Sequence, residues 1–270
     1  MEQTLIRLAR AIDQKHYGKF RGLVVDNVDP QKRARLKLHV PSILGEQETD
    51  WALPCLVFGG LADQGLFSVP EMNAQVWVEF EEGDLQRPIW TGTFWQQSAD
   101  VPQEAALDQP TTRLLKTPSG HRLQFDDEQS AEKITLHHSS EAELVIDENG
   151  SIALTDAAGA LLTLDADAGE VILADANGNT LTMTSAGTTV EDANGNKIEM
   201  AASGITIEAQ QVVVSASQVM LGGSGGEPVI KGQSFLSLFA THTHPTAVGP
   251  SGPPVPQGEM STLSTKVMSG

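Results

Sequence analysis

The stretch DANGNTLTMTSAGTTVEDANGNKIEMAASGITIE at residues 175–208 decides the fold. The pentapeptide Asp-Ala-Asn-Gly-Asn at 175–179 recurs at 192–196. Between the turns stand Leu181-Thr182-Met183, Lys197-Ile198-Glu199-Met200 and Ile205-Thr206-Ile207. Aliphatic residues alternate with Thr, Glu or Lys at a period of two, the strand period. Asn-Gly and Ser-Gly pairs supply the reversals.

The same pattern runs upstream. Gly150, Gly159, Gly169, Gly178, Gly187, Gly195 and Gly204 recur every 8 to 10 residues. Between them lie Leu144-Val145-Ile146, Leu161-Leu162-Thr163-Leu164 and Val171-Ile172-Leu173, and Val212-Val213-Val214 follows. Regular spacing of this kind marks repeat architectures. Residues 126–234 hold no Phe, Tyr or Trp, so the core there is thin and built from Val, Ile, Leu and Ala. One short strand per turn cannot bury its apolar side alone. A thin core favours three chains around one axis, an intertwined β-helix. A single-chain solenoid with two strands per rung fits the same spacing.

From residue 141 to 210 there are 13 Asp or Glu against the single Lys197. This reads as a solvated face that keeps strands from associating laterally. The Asp-Ala-Asn-Gly-Asn turns do not match a calcium loop, because Gly comes fourth and not sixth as in an EF-hand.

The N-terminal third is different. All four Trp, the one Tyr and Phe20, Phe58, Phe67, Phe80 and Phe94 precede residue 96. Large rings fill thick globular cores. Residues 20–25, 33–40, 75–80 and 89–95 alternate as strands, with Gly83-Asp84 as a hairpin turn between the last two. About five strands in this span form a small closed or partly open barrel. Residues 3–13 have helical spacing and predict a short N-terminal helix. The expected organisation is an arm at 1–17, a barrel at 18–96, a linker at 97–114, a β-helix at 115–234 and a short irregular tip at 235–270. The class is all-β.

Near the end stands Thr241-His242-Thr243-His244-Pro245. On an extended segment His242 and His244 project to one side. Two imidazoles per chain are half of an octahedral set, and three chains supply six nitrogens. Neutral imidazole suits Fe, Ni, Cu and Zn, and six-coordination disfavours tetrahedral Zn. His137 and His138 are adjacent and face opposite ways on a strand.

Composition excludes several functions. The net charge of −18 repels nucleic acid and anionic headgroups at long range. Cys55 is the one cysteine, so no intrachain disulfide forms, and between Pro54 and Leu56 it reads as a small core residue. The first residues lack a secretory leader pattern. They imply synthesis in the bacterial cytoplasm without a cleaved export signal. No catalytic motif stands out, so an enzyme is not expected.

Three segments resemble the phage baseplate assembly protein V family and the related central spikes of type VI secretion and contractile injection systems. They are Tyr17-Gly18-Lys19-Phe20-Arg21-Gly22-Leu23-Val24, the run from Val69-Pro70-Glu71 through Arg87-Pro88-Ile89-Trp90-Thr91-Gly92, and Thr117-Pro118-Ser119-Gly120-His121 through Asp127. The resemblance implies an oligonucleotide/oligosaccharide-binding (OB) barrel followed by a trimeric β-helix needle. It implies a homotrimer seated on a baseplate hub through arm and barrel, part of a virion tail or extracellular injection particle, and driven through the target outer membrane. It implies one Fe ion per trimer at the apex, held by His242 and His244 of each chain. A tip-capping protein is a further expected partner, and nucleic acid is not. The chain departs from the shortest such spikes by carrying 26 residues after His244 (244 to 270). The competing readings are a receptor-binding tail fibre, which requires aromatic-rich distal loops, and a β-helix polysaccharide or cell-wall hydrolase, which requires converging carboxylates.

Overall fold

A computed structural model describes residues 15–220 and 230–255. The helix expected over 3–13 and the chain beyond residue 255 lie outside the described residues. Two compact units are present, one ending at Glu208 and one beginning at Ala209.

The first unit begins with the barrel. Its elements are β1 (Phe20–Asp26), β2 (Lys37–His39), a one-turn helix α1 (Pro41–Leu44), β3 (Leu53–Pro54), β4 (Gln75–Phe80) and β5 (Pro88–Thr93). Sheet order is β2-β1-β4-β5-β3. Alternation sorts the residues: Val76, Val78 and Phe80 are buried, while Gln75, Trp77 and Glu79 are half-buried. The core comprises Val24, Leu36, Leu38, Val40, Ala52, Val76, Val78, Phe80 and Trp90. Gly22 must lack a side chain, because a Cβ there would lie 2.7 Å from Cγ2 of Val78. The Trp90 indole N–H donates to the main-chain oxygen of Ala34 at 3.0 Å and ties β5 to the loop before β2.

That loop explains why the strand expected over 33–40 shortens to three residues. The Asp29 carboxylate accepts the backbone N–H groups of Gln31 and Arg33 at 2.9 and 2.7 Å and the Arg35 guanidinium at 2.6 Å. Arg33 and Arg35 are thereby wrapped around Asp29. The Arg35 guanidinium, seconded by these N–H groups, holds the Asp29 carboxyl well below the usual carboxylate range. Cys55 departs from the sequence reading. It is exposed, because it follows the two-residue edge strand β3 and only its backbone is engaged, donating to Trp90 O at 2.9 Å.

After the barrel, short 3₁₀ turns at Ser98–Asp100 and Gln103–Ala105 lead into one long sheet. Its strands are β6 (Thr112–Lys116), β7 (Arg122–Asp126), β8 (Lys133–His137), β9 (Glu143–Ile146), β10 (Ile152–Thr155), β11 (Leu161–Asp165), β12 (Glu170–Ala174), β13 (Thr180–Thr184), β14 (Gly187–Glu191), β15 (Lys197–Ala201) and β16 (Gly204–Glu208). Each pairs antiparallel with its sequence neighbours, in unbroken order. This is a meander. The single-chain solenoid is overturned, because stacked two-strand rungs would place parallel strands side by side.

Six connections share one geometry, at 117–121, 138–142, 147–151, 156–160, 175–179 and 192–196. The first residue's N–H donates to the fifth residue's carbonyl, and the fourth residue's N–H donates to the first's carbonyl. The fourth residue has positive φ: Gly120, Glu141, Gly150, Gly159, Gly178 and Gly195. This is the three-residue hairpin with a left-handed position. In four of them the first residue is Asp, whose Oδ1 accepts the N–H groups two and four residues ahead.

In the second unit Val212-Val213-Val214, expected as a strand, belongs to no ladder among the described residues. The tip, expected to be irregular, contains the helix α2 (Gly232–Thr241) and the two-residue hairpin β17 (Pro245–Thr246) and β18 (Gly249–Pro250). Phe235, Leu236, Leu238 and Phe239 have helical spacing, and no Pro or Gly interrupts 233–241.

Candidate functional site: an uncovered aliphatic face and a histidine pair

The pairing register places two aliphatic rows on one face of the meander. The first runs Leu115, Leu123, Leu136, Leu144, Leu154, Leu162, Leu173, Leu181, Val190, Ile198 and Ile207, one residue per strand. The second, two residues along each strand, runs Arg113, Phe125, Ile134, Ile146, Ile152, Leu164, Val171, Met183, Thr188, Met200 and Ile205. Only Arg113 and Thr188 interrupt the apolar character. Side chains two apart on a strand share a face, so the rows form one continuous strip.

Nothing in the chain covers this strip among the described residues. Leu136 is 57% exposed, Leu173 50% and Ile205 69%. A contiguous apolar surface of this extent marks an interaction site. The other face is built differently: its central row reads Leu114, Gln124, Thr135, Val145, Ala153, Thr163, Ile172, Thr182, Thr189, Glu199 and Thr206. The flanking row there includes Arg122, His137, Glu143, Glu191, Lys197 and Glu208. One side therefore suits water and the other does not. Sequence alternation signalled the strands; the continuity of the rows is visible only once the register is known.

The meander's first strands are clamped to the linker. Glu104 accepts from Lys116 at 2.8 Å and from Arg122 at 3.5 Å, and Arg122 also reaches Glu143 at 3.3 Å. Lys116 holds the Glu104 carboxyl below its ordinary range.

The acidic turns are satisfied internally. Asp175 accepts from the backbone N–H of Asn179, the Asn179 amide at 2.6 Å and the Asn177 amide at 3.1 Å, and these bonds hold it well below the usual carboxylate range. Asp192 is held down in the same way by Asn196. The repeated pentapeptide is thus a turn device.

In the second unit His242 and His244 come together. Their ring centroids lie 5.1 Å apart, edge to face at 79°. His242 ends α2: its backbone N–H donates to Leu238 O at 3.1 Å, and its ring Nδ1–H donates to Phe239 O at 2.5 Å. A carbonyl only accepts, so Nδ1 carries a proton, and in the neutral ring Nε2 is the nitrogen that can take a ligand. His244 is pinned by Ser251, whose Oγ accepts the His244 N–H at 2.8 Å and whose N–H donates to His244 O at 2.8 Å. The two residues do not sit on one strand as expected, yet the helix end and the hairpin bring the rings together. No group of three or more His, Cys, Asp or Glu side chains converges among the described residues. One chain therefore offers two imidazole ligands.

Comparison with known proteins agrees with the barrel. Residues 20–95, from the start of β1 to just past β5, match the family described as the type VI secretion system/phage-baseplate injector OB domain. The type VI secretion system spike protein VgrG3 of Vibrio cholerae serotype O1 is 27% identical over 122 residues, which is 42% of this chain and 12% of that protein. The actin cross-linking toxin VgrG1 of another V. cholerae O1 strain is 28% identical over 115 residues, 39% of this chain and 10% of that protein. The match spans only about a tenth of the length of these relatives. Strand order, core and family match coincide over the same segment, and residues 20–95 of this chain are similar to the type VI secretion system/phage-baseplate injector OB domain.

Proposed function

We propose that this chain is the central spike of a contractile injection apparatus, a homotrimer that seats on a baseplate hub and is driven through the target envelope. The observation that carries the proposal is the two-row aliphatic strip along eleven strands, directly downstream of an injector OB domain. Covering the exposed part of each Leu, Ile or Met contributes on the order of 1 kcal/mol. Three sheets with their strips turned inward make a narrow triangular rod. The polar faces point outward, and their acidity keeps rods apart.

The rod has a mechanical job. Short strands in unbroken ladders distribute an axial load over many backbone hydrogen bonds, and a narrow cross-section concentrates the force of sheath contraction. The Glu104 clamp passes that load from the linker into the first strands. His242 and His244 fit a metal that borders on soft and accepts imidazole. Three copies would supply six nitrogens to one ion such as iron, which would hold three chain ends together where apolar contacts are few. Hub, tip cap and outer membrane are the partners of this reading.

Native mass spectrometry of the purified chain tests it. A trimer supports the rod, and one bound transition-metal ion supports the histidine site. A stable monomer or a dimer sinks the trimeric needle.

A further inference from the structure

The barrel carries an uncovered apolar surface of its own, on the loop between β3 and β4. From Leu53 to Pro70 the one charged residue is Asp63, in a chain that is 19% charged. Phe58 is 60% exposed, and Val57, Leu61, Phe67 and Trp95 are more so. None of these five belongs to the barrel core or packs against it. The loop is pinched shut at a neck, where the Leu66 N–H donates to Phe58 O at 3.1 Å. Gly65 lies so near that a Cβ on it would stand 3.2 Å from the same oxygen.

Register fixes the end of the barrel on which this loop stands. In the β4–β5 hairpin Phe80 pairs with Pro88 beside the turn, and Val76 pairs with Thr93 at the open end. The chain enters beside the turn, where the His16 N–H donates to Gly83 O at 3.0 Å, and leaves for the meander at the open end. β3 runs parallel to β5, with Pro54 beside Trp90, so it heads for the open end as the loop begins. The loop returns into Gln75, whose carbonyl accepts the Phe94 N–H at 3.3 Å, again at the open end. Trp95 follows directly. Loop and Trp95 therefore share the end of the barrel from which the chain runs to the meander.

We infer that this loop, with Trp95, is a lipid-contact surface that enters the margin of the target bilayer once the rod has been driven in. This rests on the spike reading above, in which the meander leads and the barrel follows, open end first. Eleven strands have ten spacings of about 4.8 Å, so the meander advances about 48 Å, against about 40–45 Å for a bilayer with its headgroups. A rod driven in by its own length brings the open end of the barrel to the headgroups. Trp is enriched at that depth, where an apolar ring and a polar N–H are both accommodated. Charge selects the mode of contact. A net charge of −18 forbids electrostatic capture by anionic headgroups, and the loop supplies no cation. It supplies apolar area, which a zwitterionic surface without net charge accepts. A second copy is the less suited occupant. Interfaces between protein chains carry about one hydrogen bond per 100–200 Å², and from Val57 to Phe67 only Asp63 and Gln64 have polar side chains.

The test uses the full chain and phosphatidylcholine vesicles in a flotation assay, with native mass spectrometry alongside. Val57→Asp combined with Leu61→Asp alters two exposed side chains outside the core. The parent is expected to float with the vesicles at low and at high salt alike. The double variant is expected to partition at least about tenfold less, with the oligomeric state of the parent. Brominated lipid is expected to quench the parent's Trp fluorescence, and Trp95→Phe to remove that quenching. A parent that stays unbound, or a double variant that floats equally well, overturns the lipid contact. A double variant that loses vesicle binding together with its oligomeric state shows the loop to be a contact between copies, and overturns it too. The parent's own mass reads the spike separately: a native monomer overturns the trimeric reading, whereas an unbound native trimer overturns the loop alone.

Discussion

Gly187 lies against the main-chain oxygen of Met200, so close that a Cβ on Gly187 would collide with that atom. Its φ is +155°, and it pairs with Ala201 where β14 meets β15. Neither backbone segment can give way without breaking the ladder. Gly187→Ala is expected to destabilise the meander by at least about 3 kcal/mol, combining clash and backbone strain. Gly195→Ala, in open space at φ +81°, is expected to cost only about 1 kcal/mol. Thermal unfolding of the two variants checks the order, and equal midpoints would refute it.

The two faces of the meander answer differently to charge. Leu173→Asp puts a carboxylate into the aliphatic strip, at a desolvation cost of several kcal/mol in a buried setting. It is expected to dissociate the proposed trimer at micromolar concentration. Thr182→Asp, on the opposite face, is expected to leave it intact. Light scattering after gel filtration separates the outcomes. If Thr182→Asp dissociates the assembly and Leu173→Asp does not, the wrong face was assigned to the axis.

Asp29 links barrel stability to pH. Its carboxyl titrates lower in the folded chain than in the unfolded one, chiefly because Arg35 donates to it. The unfolded chain therefore binds the proton first, and the stabilisation is present above the unfolded carboxylate value of about 4 and fades as pH falls toward the lower folded value. Asp29→Asn is expected to melt lower than the parent at pH 7, with the gap narrowing below about pH 4. A gap constant from pH 7 to pH 3 would show that Asp29 acts by shape alone.

Trp90→Phe removes the indole N–H and leaves the buried Ala34 carbonyl unpaired, at a cost of about 1–3 kcal/mol. Chemical denaturation should show a lower midpoint with an unchanged slope.

If the proposed histidine site holds, replacing both His242 and His244 with Ala is expected to abolish retention of a transition-metal ion while leaving the proposed trimer, because the aliphatic strip is untouched. The Asp175 and Asp192 turns, whose carboxylates are already engaged, should bind no calcium, so added calcium should leave the melting temperature unchanged. A calcium-dependent rise lost in Asp175→Ala would reverse that assignment.

Much of the barrel was legible because its alternation is strict: Val76, Val78 and Phe80 are buried where period two puts them. The glycine ladder likewise announced its turns, and seven of its glycines have positive φ. Local signals misled in particular places. Val212-Val213-Val214 has strand composition but pairs with no strand among the described residues, and a strand needs a partner more than it needs propensity. Cys55 has a core-like residue type but falls just past a two-residue edge strand, where its side chain is exposed. The helix at 232–241 was hidden by its place between a glycine-rich run and a proline-rich tail.

Residue order alone determined that the chain is all-β, divided into an aromatic-rich barrel and a repetitive, aromatic-free run of strands. Those properties follow from periodicity and side-chain volume, which are local. Tertiary structure decided that the repetitive region is a self-paired antiparallel meander, that its aliphatic residues line up in two uncovered rows, and that a helix end and a hairpin bring His242 beside His244. Each of these depends on register and on chain reversal in space. A one-residue change of register would turn each aliphatic row to the other face with no change in the sequence pattern.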